Sequence, residues 1–264
     1  GNLRDITLRA LETLAAADLI ACEDTRTSRT LTERYGITTK LIAAHQHNEA
    51  VAGEHIAADI AVGKAVALIS DAGTPAVSDP GQRVVQAVLA AGQPVVPLPG
   101  ASAVLAALVG SGLSTERFSF VGFPERKQQA RLTQLQDHRE RHAGQTLIYY
   151  ESPKRVSDTL AAMAEIFGPE ANACMARELT KMHETFVRSS LGELSSAVGD
   201  DAVRGEVVLL VAVPEAKTPD WSDQHVDALL TDLLAEMPTG KAASEAAKRT
   251  GRARRDLFDR AAAL

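Results

Sequence analysis

Three short turns, each directly behind an apolar run, constrain this chain more than any other feature. Asp71-Ala-Gly-Thr-Pro75 follows the run at 65–69. Pro99-Gly-Ala-Ser102 follows Val95-Val96-Pro97-Leu98, and Glu23-Asp-Thr-Arg26 follows the run at 18–22. A helix-like pattern comes after each turn. Strand, turn and helix in that order build a parallel sheet, and ligands bind at the turns on the carboxyl ends of its strands. The sequence therefore sets carboxylates, glycines and hydroxyls along one sheet edge, which is a small-molecule site.

The segment from Ser70 to Gly81 is the densest of these. Gly73 lets backbone approach a ligand closely, while Pro75 and Pro80 stiffen the loop by fixing φ. Asp71 has two readings, facing a ligand ammonium or sulfonium or capping a turn. Asp79 reads mainly as a cap, and Thr74 and Ser78 add donors. Neither G-x-G-x-x-G nor the phosphate loop G-x-x-x-x-G-K-[ST] occurs, which argues against nicotinamide redox chemistry and nucleotide hydrolysis. His45 and His47 have no evident third ligand, and Cys22 and Cys174 stand far apart, so neither pair reads as a metal site. Cys22 ends an apolar run and reads as a buried thiol, which fits a reducing cytoplasm.

Periodicity gives an α/β chain in three parts. Residues 1–112 form a parallel-sheet domain, with strands at 18–22, 40–44, 65–70 and 94–98 and helices at 5–17, 28–34, 49–62, 81–91 and 101–109. Residues 113–214 form a mixed-sheet α/β domain with antiparallel pairs. Its strands fall at 117–123, 146–150, 173–179, 184–189 and 206–213, and its helices at 128–142 and 156–167. Residues 214–220 read as a linker. A helical extension over 221–264 has helices at 223–236, 241–249 and 252–263, the last two resembling a helix-turn-helix about Gly251. No stretch approaches the roughly 20 apolar residues of a membrane span.

Charge is unevenly placed. The formal net charge is −6, but 241–264 carries Lys241, Lys248, Arg249, Arg252, Arg254, Arg255 and Arg260 against Glu245, Asp256 and Asp259. That segment is +4, and the rest of the chain is −10. A basic tail on an acidic body points to nucleic acid, although a solvated helix face of alternating charge uses the same residues. Arg126, Lys127, Lys154, Arg155, Arg177 and Lys181 fall at turns and strand ends, where they could line a phosphate-binding surface.

Several motifs also stand in a telling order. They are Gly1-Asn-Leu-Arg-Asp-Ile-Thr7, Cys22-Glu-Asp-Thr-Arg-Thr27, Ser70-Asp-Ala-Gly-Thr-Pro75 with Ser78-Asp-Pro-Gly81, Pro97-Leu-Pro-Gly-Ala-Ser102, Glu151-Ser-Pro153 and Arg177-Glu-Leu-Thr-Lys181. Together they resemble the ribosomal RNA small-subunit methyltransferase I family of the tetrapyrrole methylase superfamily, and the resemblance covers almost the whole chain. It implies two α/β domains of tetrapyrrole-methylase type, with S-adenosylmethionine in the cleft between them, and a homodimer. It further implies ribose 2′-O-methylation of a cytidine in the decoding region of 16S rRNA, within the small ribosomal subunit. The sulfonium methyl is already electrophilic, so no metal is required.

Carried over by motif, the cofactor site comprises Asp71, Ala72, Gly73 and Thr74, then Ser102 and Ala103, with Leu179 near the adenine. Glu23, Asp24 and Lys181 are the candidate bases, with Arg26 and Arg155 orienting a phosphate or carboxylate. RNA contacts fall on Arg126, Lys127, Lys154 and Arg155, and on Lys248, Arg249, Arg252, Arg254 and Arg255 of the tail. Lys154 stands where the family has histidine. A strand and a Thr-Pro-Ile segment precede the equivalent of Gly1-Asn2-Leu3 in that family. Two rivals share the cleft, a tetrapyrrole carbon methyltransferase and a non-catalytic RNA-binding module. The basic tail and Cys22-Glu-Asp-Thr-Arg26 disfavour the first, since a porphyrinoid needs neither.

Overall fold

The computed structural model describes residues 1–46, 48–199, 203–215 and 221–264. The chain divides into two compact units, Gly1–Pro214 and Glu215–Leu264. His47 and most of the expected linker lie outside the described residues.

The first unit opens with helix α1 (Leu8–Ala16), whose N-cap Thr7 accepts from the Ala10 N–H at 3.2 Å. Strand β1 (Leu19–Cys22) follows, then α2 (Thr25–Arg34), β2 (Lys40–Ala43), α3 (Glu49–Ala61), β3 (Val66–Ile69) and α4 (Gln82–Ala90). The three strands form a parallel sheet in the order β2-β1-β3, with Cys22 level with Ala43 and Ile69. Glu23, Ala44 and Ser70 therefore leave the sheet side by side at its carboxyl edge. Helices α3 and α4 pack closely because Gly53 faces α4. A Cβ there would sit 2.9 Å from that of Ala87.

One expected strand does not form. Residues 94–98 carry no ladder, and Val96 is 77% exposed. Pro94 and Pro97 have no N–H to donate, so this run makes a poor sheet member without a well-placed neighbour.

Helix α5 (Ala103–Ser111) starts at its N-cap Ser102 and stops at Gly112, which adopts the left-handed conformation at φ 77°. It precedes the boundary expected at 112, yet its buried face, Val104, Ala107 and Leu108, packs on the second sheet. That sheet contains β4 (Phe118–Phe120), β5 (Thr146–Glu151), β6 (Asn172–Arg177), β7 (Thr185–Ser190) and β8 (Val207–Ala212), in the order β4-β5-β8-β6-β7. The β4–β5 pair is parallel, whereas β5–β8, β6–β8 and β6–β7 are antiparallel.

Side chains alternate between the two faces of this sheet. Leu147, Tyr149, Leu209 and Val211 meet helices α6 (Gln128–Arg141), α7 (Val156–Phe167) and α8 (Leu191–Ala197). Ile148, Leu210, Val208 and Cys174 meet α5. Both faces are covered, which is why β5 and β8 read as nearly continuous apolar runs. Helix α8 went unforeseen because seven residues hold too little periodicity to see. Cys22 and Cys174 are both free and buried.

The second unit has three helices, α9 (Asp223–Glu236), α10 (Thr239–Thr250) and α11 (Arg254–Ala263). Val226, Leu230 and Leu233 pack on Ala242, Ala243, Ala246 and Leu257. Gly251, left-handed at φ 71°, turns α10 into α11. No helix among the described residues is long and apolar enough to cross a membrane.

A buried carboxylate sets the loop that leads into α4. Glu49 Oε1 accepts the N–H of Gly81 at 2.8 Å and of Arg83 at 2.7 Å, so the cap comes from α3 rather than from Asp79. Replacing Glu49 with Ala strands two donors, and we expect a loss of about 1.5–3 kcal/mol in urea unfolding followed by circular dichroism.

Candidate functional site

Topology brings the chemistry to one place. In the second sheet, β4, β5 and β6 end, and β8 begins, on the same side, with Glu151 and Arg177 both level with Val207. Residues 121–125, 178–181 and 205–206 therefore emerge together. They meet the carboxyl edge of the first sheet, since Asn2 Nδ2 donates to the Thr180 carbonyl at 2.8 Å and the charges of Asp79 and Glu206 act on each other and on Tyr150.

The loop 70–81 forms one wall. Thr74 Oγ1 donates to the Ala101 carbonyl at 3.0 Å, joining this loop to the turn before α5. Gly73, at φ 74°, runs past the same carbonyl. Ser102 Oγ caps α5, and Ala103 is its first residue, so free N–H groups of the helix start lie beside the loop. Leu179 is half-buried against the α5 face. The structure thus brings the Asp71-Ala72-Gly73-Thr74 turn up to Ser102 and Ala103 at the start of α5, with Leu179 packed on the same helix. Ala76, Ser78, Glu178 and Thr180 all have positive φ, between 49° and 68°, so backbone strain concentrates in the two loops that face each other.

The candidate bases separate by environment. Asp24 caps α2 and grips Arg26, with 2.7 Å between Arg26 Nη2 and Asp24 Oδ2. That pairing holds the Asp24 carboxyl down at about 2, where it is a feeble proton acceptor. Glu23 is pushed above its ordinary value, first by burial, then by the charges of Asp71, Asp79 and Asp24. Asp71 Oδ1 accepts from the Asp24 N–H at 3.3 Å, fixing the two turns together. Asp79 is also raised, by burial and by Asp71 and Glu206, against a lowering bond from Ser70.

Lys181 corrects the expectation of a lysine base. Burial would lower its pKa, but bonds to Glu178 at 2.9 Å and Glu206 at 3.2 Å outweigh that, and the net shift is upward. Lys181 is a fixed ammonium. Sequence reasoning missed Glu206, Glu178 and Tyr150, which reach the cleft only through strand pairing. The one available signal was Gly205 before Glu206. Gly205 has φ 84°, and a Cβ there would collide with the Glu178 carboxylate.

The expected RNA contacts also divide. Arg126, Lys127 and Lys154 are exposed. Arg155 is only 22% exposed and is engaged internally with the buried Glu151 at 3.2 Å and the carbonyls of Pro124 and Glu125. In the tail, Arg252 pairs with Asp223 at 2.7 Å. Lys248 and Arg249 share Glu245, while Arg254 and Arg255 are exposed at the start of α11. Among the described residues, no group of three or more His, Cys, Asp and Glu is arranged to hold a metal ion.

The chain matches the family model for tetrapyrrole (corrin/porphyrin) methylases over residues 1–195. A second model, the RsmI C-terminal HTH domain, matches 220–264. Uroporphyrin-III C-methyl transferase from Thermus thermophilus, solved in complex with S-adenyl homocysteine, shares the fold at 18% identity. Its TM-score is 0.55, and the match covers 79% of this chain and 91% of that one. The class is thus that of the two-lobed tetrapyrrole methylases.

Closer relatives narrow it. Ribosomal RNA small subunit methyltransferase I of Mesorhizobium japonicum is 50% identical over 98% of this chain and 87% of its own length. Its Pseudomonas aeruginosa counterpart is 44% identical over 99% and 93%. The chain belongs to the ribosomal RNA small subunit methyltransferase I family.

The crowding of carboxylates sets a test. In carboxyl-carbon NMR titrations, Asp71→Asn should lower the Glu23 midpoint by removing a like charge. Arg26→Ala should return Asp24 toward the ordinary value of about 3.9. An unmoved Glu23 midpoint would show that its neighbours are not what raises it.

Proposed function

We propose that this chain transfers a methyl group from S-adenosylmethionine to the ribose 2′-hydroxyl of a cytidine in the decoding region of 16S rRNA. The observation that carries this reading is the meeting, within one unit, of the 71–74 loop, the start of α5 and a glutamate held above its normal pKa. The names of the relatives supply the RNA, and the bound product in the Thermus neighbour supports the cofactor.

The residues present fit that cofactor. Gly73 leaves its left-handed backbone bare of a side chain, Leu179 offers an apolar wall for a base, and the carboxylates of Asp71 and Asp79 suit a cationic ligand. S-adenosylmethionine, when bound, supplies an electrophilic methyl on a positively charged sulfur. The Glu23 carboxylate takes the proton from the ribose oxygen. A raised pKa brings such a base nearer to neutral pH and strengthens it. Asp24 and Arg26 hold the turn that carries Glu23, and the ammonium of Lys181 fixes Glu178 and Glu206 on the opposite wall. Positioning supplies the remainder, and effects of that kind are worth roughly 7–11 kcal/mol.

Labelled S-adenosylmethionine and small subunits isolated without the modification provide the decisive assay. We expect one labelled ribose, at a cytidine, and Glu23→Gln should cut kcat by about 10²–10⁴, with cofactor affinity falling no further than that of the unaltered protein with Glu23 protonated. Label on a base or on uroporphyrinogen, or full activity in Glu23→Gln, would contradict the reading.

The tail is assigned to RNA through Lys248, Arg249, Arg254 and Arg255. Changing these four to Ala should weaken RNA binding and flatten its salt dependence, by about 0.7–0.9 in log–log slope for each phosphate no longer neutralised, with cofactor affinity unchanged. An equal loss of cofactor affinity would refute that division of labour.

A further inference from the structure

Aromatic residues are scarce in this chain, with six Phe, three Tyr and one Trp, yet three of these rings meet beside the face of the second sheet that carries α5. Tyr150 lies 4.8 Å from Phe120 and 5.7 Å from Phe123, with the Phe123 contact edge-on. Tyr150 faces the site. Its hydroxyl is pushed up by burial and by the charges of Asp79 and Glu206, and it meets the backbone of Val104 at the start of α5. Phe123 stands one ring further out and is 52% exposed. It is more exposed than the other surface phenylalanines, Phe118 at 41% and Phe258 at 44%.

The backbone beneath Phe123 is held firmly. Gly122, at φ 74°, turns the chain out of β4, and its carbonyl accepts the Tyr150 N–H at 3.0 Å. Arg155 Nη2 donates to the carbonyls of Pro124 at 2.6 Å and Glu125 at 3.1 Å. Arg155 is anchored in turn by Glu151, which is buried and also accepts the Thr159 hydroxyl at 2.7 Å. Breaking such a buried ion pair leaves an uncompensated charge, so this clamp resists movement. Next in sequence come Arg126 and Lys127, both exposed.

An exposed ring on a rigid base, followed within four residues by two exposed cations and one ring out from the start of α5, matches how proteins hold single-stranded nucleic acid. Bases stack on the aromatic while cations meet the backbone. We infer that Phe123 is the stacking platform for an unpaired nucleobase of the RNA substrate, with Arg126 and Lys127 contacting the adjoining phosphates. The inference rests on the RNA-methylation reading and adds to it the requirement that the strand enter the cleft unpaired. It also explains the Glu151-Ser-Pro-Lys-Arg155 motif, whose arginine serves the RNA by fixing the platform.

The experiment compares Phe123→Ala, Phe123→Leu and Phe123→Trp with the unaltered protein. Leu keeps the apolar contact with Tyr150 but has no ring, so it separates stacking from packing. Calorimetry with S-adenosylmethionine should give the same affinity in all four. Methyl transfer to the small subunit should show KM raised about fivefold to a hundredfold in the Ala and Leu variants and near normal in Trp. Affinity for a short single-stranded RNA should follow the same order, and duplex RNA of the same length should not discriminate. Leu behaving like the unaltered protein, or all four binding the single strand equally, overturns the inference. If the unaltered protein transfers no methyl to the subunit, the function reading fails separately, and the single-strand affinities still decide the platform.

Discussion

Carboxylate crowding at one sheet edge is the constraint on which the rest of the site depends. Glu23, Asp24, Asp71 and Asp79 emerge from neighbouring parallel strands or their loops, and Glu206 approaches from the other sheet. Like charges at close range destabilise the folded state unless something offsets them. The protein offsets two of them internally, Asp24 with Arg26 and Glu206 with Lys181. Glu23 and Asp79 keep raised pKa values instead. A ligand bearing positive charge is the partner that such a residual field favours, and it would also ease the ionisation of Glu23.

Most of the surrounding structure keeps these groups in place. Glu49 caps α4 from α3 and thereby sets the exit of the acidic loop. Thr74 ties that loop to the turn before α5, and Asn2 ties the start of the chain to Thr180. Helix α5 packs on the second sheet while its N-terminus lies beside the first, so it fixes one lobe against the other. The four left-handed non-glycine residues, Ala76, Ser78, Glu178 and Thr180, concentrate backbone strain in the loops beside the acidic edge.

Local pattern carried much of this into the sequence. Helix α7 matched its apolar period over 156–167, and the turns after β1 and β3 were visible because glycine, proline and carboxylates interrupt apolar runs. The hairpin of α10 and α11 was legible from Gly251. What the pattern could not carry was long-range pairing. Glu206 and Lys181 lie 25 positions apart and meet only because β6 pairs with β8. Arg155 has Glu151 four positions before it, but the burial of that glutamate and the carbonyls of Pro124 and Glu125, about 30 positions away, are not local information. Residues 94–98 look like a strand by composition, but sheet membership depends on a neighbouring edge, which composition does not record.

If this carboxylate edge recognises the positive sulfur of the methyl donor, Glu23 must ionise as the donor binds. Titration calorimetry across pH, with S-adenosylmethionine and separately with its product S-adenosylhomocysteine, whose sulfur carries no charge, tests this most directly. Linkage requires the donor to bind more tightly as pH rises through the Glu23 range, and the product to show a much weaker dependence. Identical pH dependence for the two ligands would contradict the claim.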